Sequence, residues 1–381
     1  MSFLNKIRWA NSAFLITTFV TAITAVPWYL YTYGLSAFQF WLFFFFFIST
    51  GFSITLGYHR LFSHLTFRAK WPVKVFTLLF GAAAFEGSAL SWCADHRRHH
   101  KFVDHDEDPY DISKGFFHAH IGWLLFRTGP ETPLTWVRDL QNDKLAWWQH
   151  QFYVPLAFAV GFGLPALIGG IWGGPGGALG GLLLAGVART VFVHHMTFCI
   201  NSLCHWIGDR PYSSNCTARD SFLMALFTFG EGYHNYHHEF QHDYRNGVKP
   251  WQFDPTKWTI WLLNKMGLVS GLRTVPEEKI LKAQIAEQER LLAARLQASG
   301  SHPDAFHEVL SSARARLDAA VVRWEERLVH YREALEKRSE VSRRDLRSLK
   351  LNARRAAEEL RESLRSWIEA QRSIGLGKPT A

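Results

Sequence analysis

Uncharged apolar runs and short polar turns alternate through roughly the first half of the chain. Phe14 to Tyr31 is nearly free of charge, and Phe38 to Leu56 follows a few residues later with the run Phe43-Phe44-Phe45-Phe46-Phe47. Phe152 to Trp172 is apolar and ends in Gly173-Gly-Pro-Gly-Gly177. Leu179 to Leu203 then returns, interrupted by Arg189 and His194-His195. A helix crosses hydrocarbon with about 20 apolar residues. The pattern predicts four transmembrane helices in two hairpins, over about residues 12–33, 37–57, 151–172 and 179–203. Val73 to Leu90, with Glu86 inside it and Trp92 just beyond, reads as a helix lying on the membrane face.

The pattern changes after Pro276. Residues 277–372 are nearly all strong helix formers, rich in Arg and Glu. Leu317, Val321, Trp324, Leu328, Tyr331 and Leu335 step by four and three; Leu346, Leu349, Ala353, Ala356 and Leu360 step by three and four, with Trp367 in register. That heptad spacing predicts coiled-coil or helical-hairpin packing. Ser301-His302-Pro303-Asp304 reads as a break and helix start. The chain therefore divides into a membrane domain, residues 1–275, and a charged helical tail, residues 276–381.

Charge fixes the orientation. The turns within the two hairpins carry no Lys or Arg, whereas Lys6, Arg8 and the segments from Arg60 to Lys144 and from Arg210 onward carry many. The positive-inside rule places both termini and both long segments in the cytoplasm. The first apolar run is too long, and too closely followed by the next, for a cleaved signal peptide. With spans this long, the net charge of +9 fits a membrane surface rather than nucleic acid. Cys93, Cys199, Cys204 and Cys216 form no CxxC pair, which argues against a zinc ribbon and reads as small buried thiols on a reducing side.

The candidate chemistry lies in nine of the 19 histidines. His59-Arg-Leu-Phe-Ser-His64, His96-Arg-Arg-His99-His100 and His234-Asn-Tyr-His237-His238 form three clusters, and His205 stands alone four residues after Asn201. Rings at i, i+3 and i+4 share a helical face. His59 and His64, five apart, converge only if their helix ends between them. His194-His195 reads as a satisfied polar pair within the fourth span; the remaining histidines share no ligand spacing. Nine imidazoles exceed one ion's capacity and point to two metals in one pocket. Nitrogen ligation argues against magnesium and calcium, and structural zinc takes four ligands. A redox metal, iron working with O2, fits best; zinc hydrolysis is possible but needs no such cage. Asp95, Glu107 and Asp108 are the acids near enough in sequence to orient the rings.

These residues resemble the membrane-bound fatty acyl desaturases, specifically the stearoyl-CoA desaturase-like Δ9 branch in a bacterial-looking variant. The resemblance covers about residues 10–270 and rests on the HxxxxH, HxxHH and HxxHH boxes, the order of spans between them, and Asn201-Ser202 before His205. It implies an all-α integral membrane protein with four spans and a cytoplasmic helical cap, in a bacterial inner membrane. It implies two iron ions held by His59, His64, His96, His99, His100, His205, His234, His237 and His238, with Asn201 bonding through water and no catalytic residue beyond the metal centre. The implied reaction uses O2 to remove two hydrogens from an acyl chain, leaving a cis double bond. No Rossmann glycine fingerprint or haem-domain signature is fused to the chain, so the electrons are expected from a separate ferredoxin or small haem protein.

The resemblance also carries substrate positions. Trp92 and Thr197 match residues that shape a kinked acyl tunnel, Glu86 stands where the family has Gln, and Gly51 is expected to leave room at the tunnel end. At the headgroup end, Ala94 and Gly87 replace an Arg and an Asn, and an Arg-Lys pair is reduced to Arg127. Phosphate recognition relies on such cations, so both acyl-CoA, bound by other bases such as Arg97 and Arg98, and a phospholipid acyl chain stay open. Two other readings accompany this one, a histidine-box lipid hydroxylase and a non-catalytic membrane metal sensor.

Overall fold

The computed structural model describes residues 3–299, 304–337 and 341–373. They are mostly helical and divide into two compact units, Met1–Val275 and Pro276–Ala381. The expected break at Ser301-His302-Pro303 lies outside the described residues.

In the first unit, α1 (Trp9–Tyr33) and α2 (Ala37–Ser63) form a hairpin through Gly34, whose φ of 72° suits glycine. The Ser36 side chain caps α2 by accepting from the Gln39 N–H. Both helices are long and apolar enough to cross a membrane, as is the 53-residue helical run α5 (Tyr153–His205). Their outer faces expose Ile16, Trp41, Phe45, Ile171 and Trp172, which water would not favour.

Three expectations are corrected here. First, α2 runs on in helical form past the expected span of residues 37–57. It continues to Ser63 as a π-helix, residues 53–63, and all of that segment is buried. Second, α5 shows no loop at 173–177. Its break is confined to Gly173 and Gly174, where φ is −132° and 60°, and Pro175 is already helical because its fixed φ suits a first turn. The two arms then pack so closely that a Cβ on Gly169 would sit 2.2 Å from the Gly177 carbonyl oxygen. Tyr29 and Gln39 donate to the carbonyls of Gly176 and Gly177, both at 3.0 Å, tying the first hairpin to this turn. Third, Val73–Leu90 is not one surface helix. α3 (Trp71–Ala82) ends at a buried turn with Phe85 at φ 61° and Gly87 at φ 102°, and α4 (Ala89–Phe102) starts afresh from a Ser88 cap.

Two elements complete the frame of this unit, the short helix α6 (His234–Glu239) and α7 (Pro255–Lys265). Its core joins α2, α3, α4 and α7 through Tyr58, Leu78, Leu90 and Ile260.

The second unit packs α8 (Glu277–Ser299), α9 (Asp304–Glu336) and α10 (Arg343–Ser373) around one core. Leu317, Trp324, Leu360 and Trp367 are buried there. Leu335 is 42% exposed, and Ala334 takes the inward position instead.

Candidate metal centre

The ring nitrogens gather into two groups. His59, His64, His96, His100 and His237 form one; His99, His205, His234 and His238 form the other, each with its ligand atoms within 4.8 Å of one another. Helical geometry explains the division. On α4, His96 and His100 at i, i+4 feed the first group, and His99 between them points about 100° away into the second. On α6 the roles reverse: His234 and His238 feed the second group, and His237 feeds the first.

His59 and His64 meet through a feature that their spacing did not show. The His64 N–H bonds the His59 carbonyl at 3.0 Å, an i→i+5 contact that stacks residues five apart. The helix does end between them, at Ser63, and the π-helical winding of that last turn brings both rings to one side. His205 sits on a tight turn, Leu203–His205, at the end of α5. Asn201, one turn earlier, borders the cavity that reaches the rings.

The outer ring nitrogens fix the tautomers. His99 Nδ1 lies 2.9 Å from both oxygens of Asp108. His205 Nδ1 lies 2.8 Å from Thr217 Oγ1, whose own proton goes to Asp104 Oδ1 at 2.6 Å. His59 Nδ1 lies 2.9 Å from Glu231 Oε2. Each of these Nδ1 atoms carries the ring's proton, so each Nε2 turns a lone pair inward.

Those inward atoms are crowded. His237 Nε2 faces His59 and His100 at 3.0 Å each; His234 Nε2 faces His205 and His238 at 3.1 Å each; His238 also faces His99 at 3.3 Å. A nitrogen with one proton or one lone pair cannot satisfy two neighbours at once. A shared cation can. Metal–imidazole bonds of about 2.0–2.1 Å set neighbouring ligand nitrogens roughly 2.9–3.4 Å apart, which matches the observed spacing. The rings also stay neutral, the form that binds metal: burial first, then the neighbouring imidazoles, push His96, His100, His234, His237 and His238 well below the ordinary histidine value. The residues present therefore fit a pair of metal ions.

Of the three acids expected to orient the rings, Asp108 does so. Burial opposes its charge, but His99 and the Tyr110 N–H hold its carboxyl below the usual value. Glu107 is exposed, and Asp95 borders the cavity without touching an imidazole. Sequence reasoning missed Glu231, Asp104 with Thr217, and Tyr110, whose hydroxyl is 3.4 Å from His96 Nδ1. It also missed Arg60, which is fully buried and bonds Glu231 and Asp254 at 2.9–3.2 Å. Adjacency to a ligand was the available signal for Arg60, and position three residues before His234 was the signal for Glu231.

A cavity of about 520 Å³ reaches both ring groups, touching His59, His96, His99 and His234. It is also bordered by Arg8, just before α1, and by Asn11 of α1. On its wall, Thr197 Oγ1 and Trp92 Nε1 donate to the two oxygens of Glu86 at 2.8 and 3.2 Å. Burial raises this carboxyl to about 7 despite those two bonds. Trp92 also stacks on His96, with centroids 4.8 Å apart. Gly51 lines a small void together with Thr197 and Phe229, and a Cβ on it would lie 2.4 Å from the Phe229 ring. Arg127 is exposed, away from the cavity lining. Arg97 is committed to Asp139 and to the carbonyls of Phe62, Ser63 and Trp136. Arg98 donates to the Pro130 carbonyl. His194 bonds the Ala84 carbonyl at 2.7 Å, and His195 meets His120.

Comparison with known proteins adds an independent line. The fatty acid desaturase family profile matches residues 38–261. The chain is 44% identical over 245 residues to a probable acyl-CoA desaturase of Schizosaccharomyces pombe, covering 64% of this chain and 50% of that one. It is 41% identical over 247 residues to acyl-CoA desaturase 1 of Saccharomyces cerevisiae, covering 65% and 48%. With the acyl-CoA desaturase of Ovis aries it shares 36% identity over 246 residues, 63% of this chain and 68% of the relative. The chain thus spans about half the length of the two yeast relatives.

Proposed function

Because the chain belongs to the fatty acid desaturase family, we propose that it is an oxidoreductase that forms a cis double bond, at Δ9, in a long saturated acyl chain. The observation that carries this reading is a largely apolar cavity that reaches both groups of imidazoles. The substrate is an acyl-CoA or a phospholipid acyl chain.

Two iron ions, one on each ring group with Asn201 reaching the second through water, would supply the oxidising power for an unactivated C–H bond, with O2 as the oxidant. The chain's own residues do the positioning. The Glu86–Trp92–Thr197 bridge bends the acyl chain where it passes the rings. Phe85 and Phe158 line the cavity and exclude water. Phe229, which lines the small void with Gly51 and Thr197, limits chain length. Arg8, on the cavity border, is a cation available to an anionic headgroup.

The protein is integral to a membrane. Its spans number four when α5 is divided at Gly173–Gly174, with both termini and the ring groups on the cytoplasmic side, as the distribution of Lys and Arg favours. Electrons arrive from a separate ferredoxin or small haem protein.

Expression in a desaturase-deficient host, with double-bond mapping by headgroup class, tests the proposal. New Δ9 cis chains support it. A hydroxylated product, or unchanged lipids from protein carrying two irons, overturns it. Purified protein given only NAD(P)H makes no product if the donor is separate.

A further inference from the structure

The two ring groups stand against different electrostatic backgrounds. Behind the first, Glu231 contacts His59, and its charge is met by Arg60 at 2.9 Å and by the Asn246 amide at 2.6 Å. Arg60 also bonds Asp254, which accepts from the Lys257 backbone N–H and acts on the nearby Lys257 ammonium, itself donating to the carbonyls of Gly247, Lys249 and Gln252. The Glu231 charge is therefore compensated directly by a buried guanidinium. His96 leans on a neutral phenol, that of Tyr110.

Behind the second group the account differs. Asp108 holds His99 through both oxygens, and Asp104 reaches His205 through the Thr217 hydroxyl. Among the described residues, no Lys or Arg pairs with either carboxylate. Asp104 is held in a left-handed conformation, φ 63°, its oxygens engaged by the Thr217 N–H and hydroxyl. That backbone conformation costs energy in a non-glycine residue, and here it aims a charge at a ring. A carboxylate bonded to the outer nitrogen makes an imidazole a stronger donor to its metal. Two uncompensated anions also favour the higher metal charge. The fifth imidazole of the first group is neutral and adds no such field.

We propose that Asp108 and the Asp104–Thr217 relay are positioning residues that make the two metals inequivalent, so that the four-imidazole site gives up its electron first. This inference rests on the di-iron reading above. In the one-electron step, the iron held by His99, His205, His234 and His238 passes from ferrous to ferric and the electron goes to an external mediator; no bond breaks.

The test uses the full-length protein, loaded with iron-57 and oxidised stepwise at controlled potential, with iron counted in every sample. Asp108→Asn keeps an oxygen for the His99 N–H while removing the charge. It should raise the first midpoint at least tenfold in equilibrium terms, about 59 mV for one electron. It should also change the Mössbauer doublet of the iron that is oxidised first. Asp104→Asn should move both readouts in the same direction by less, because its charge acts through Thr217. Glu231→Gln should alter the other doublet and leave the first midpoint near the wild-type value. The proposal fails if Glu231→Gln shifts the first midpoint as far as Asp108→Asn, or if neither aspartate variant moves it. Loss of iron from both aspartate variants also overturns it, because the carboxylates would then be building the site rather than tuning it. Wild-type protein without iron would instead sink the di-iron reading itself.

Discussion

Residues 1–275 and residues 276–381 bury different things. The first unit places charged and polar side chains in its interior: Arg60, Glu231, Asp254, Asn235 and nearly every ring of the metal centre. The second fills its interior with Leu317, Trp324, Leu360 and Trp367 and keeps its ion pairs at the surface, as in Lys282–Glu325 and Arg323–Glu359. A buried charge costs several kcal/mol unless its partners are exact in place, whereas exposed pairs contribute about 0–1 kcal/mol. The first unit therefore spends stability to hold rings in fixed positions. The second has the economy of a structural appendage.

The sharpest break in that comparison is His237→Ala. His237 Nε2 is the atom that two other imidazoles of its group face, so removing it opens the five-ring site. Product should fall more than about a hundredfold, beyond the usual loss for a residue that only supports a ligand, and iron content should fall with it. Lipid analysis and metal counting on the same preparation check this. Retained product with both irons would show that the ring is not a ligand.

Arg60→Ala comes next and reads stability rather than chemistry. It would leave Glu231 and Asp254 buried without their cation. Removing one partner of such a pair costs about 3–5 kcal/mol, so the first unit should unfold at lower denaturant. Leu317→Ala is the matching cut in the second unit. Leu317 is fully buried, and truncating such a leucine costs about 2–5 kcal/mol. The tail's own melting should drop while iron content and product stay at the wild-type level. Loss of product in Leu317→Ala would end the view of the tail as an appendage.

How far sequence reaches differs between the two units for the same physical reason. Heptad spacing is local, so Trp324, Leu360 and Trp367 could be placed inside from their intervals alone; only details such as Ala334 for Leu335 changed. The nine histidines were also legible, because i, i+3, i+4 spacing survives any tertiary context. What lay outside reach was the π-helical continuation of α2, which depends on one residue of extra winding. It supplies the alignment of His59 with His64 that a helix end between them does not by itself explain. Glu231, Asp104 and Arg60 act across 113 to 194 residues of sequence. Position beside a ligand hints at Arg60 and Glu231, but no local pattern says which distant group each one meets. The ring packed against Gly51, that of Phe229, is likewise distant in sequence.

Glu86 sharpens the comparison most finely, because it is a buried acid in the first unit that no cation answers. Its partners, the Trp92 N–H and the Thr197 hydroxyl, both donate, so it can hold a charge, yet burial lifts its titration from 4.5 to about 7. A raised acid binds more protons folded than unfolded, so its contribution to stability is largest at low pH and is lost as pH climbs through about 7. Glu86→Gln keeps both bonds, with the amide oxygen accepting from Trp92 and the amide N–H donating to Thr197, and removes the titration. The two proteins should melt alike near about pH 5, and the variant should be the more stable near about pH 8. Acyl binding should follow: the wild-type KM should rise severalfold above pH 7 as a carboxylate forms beside the chain, while the variant's stays flat and the double bond keeps its position. Parallel pH profiles for the two proteins would show that Glu86 does not titrate in the cavity. A moved double bond would show that the charge, and not only the pair of hydrogen bonds, sets the bend.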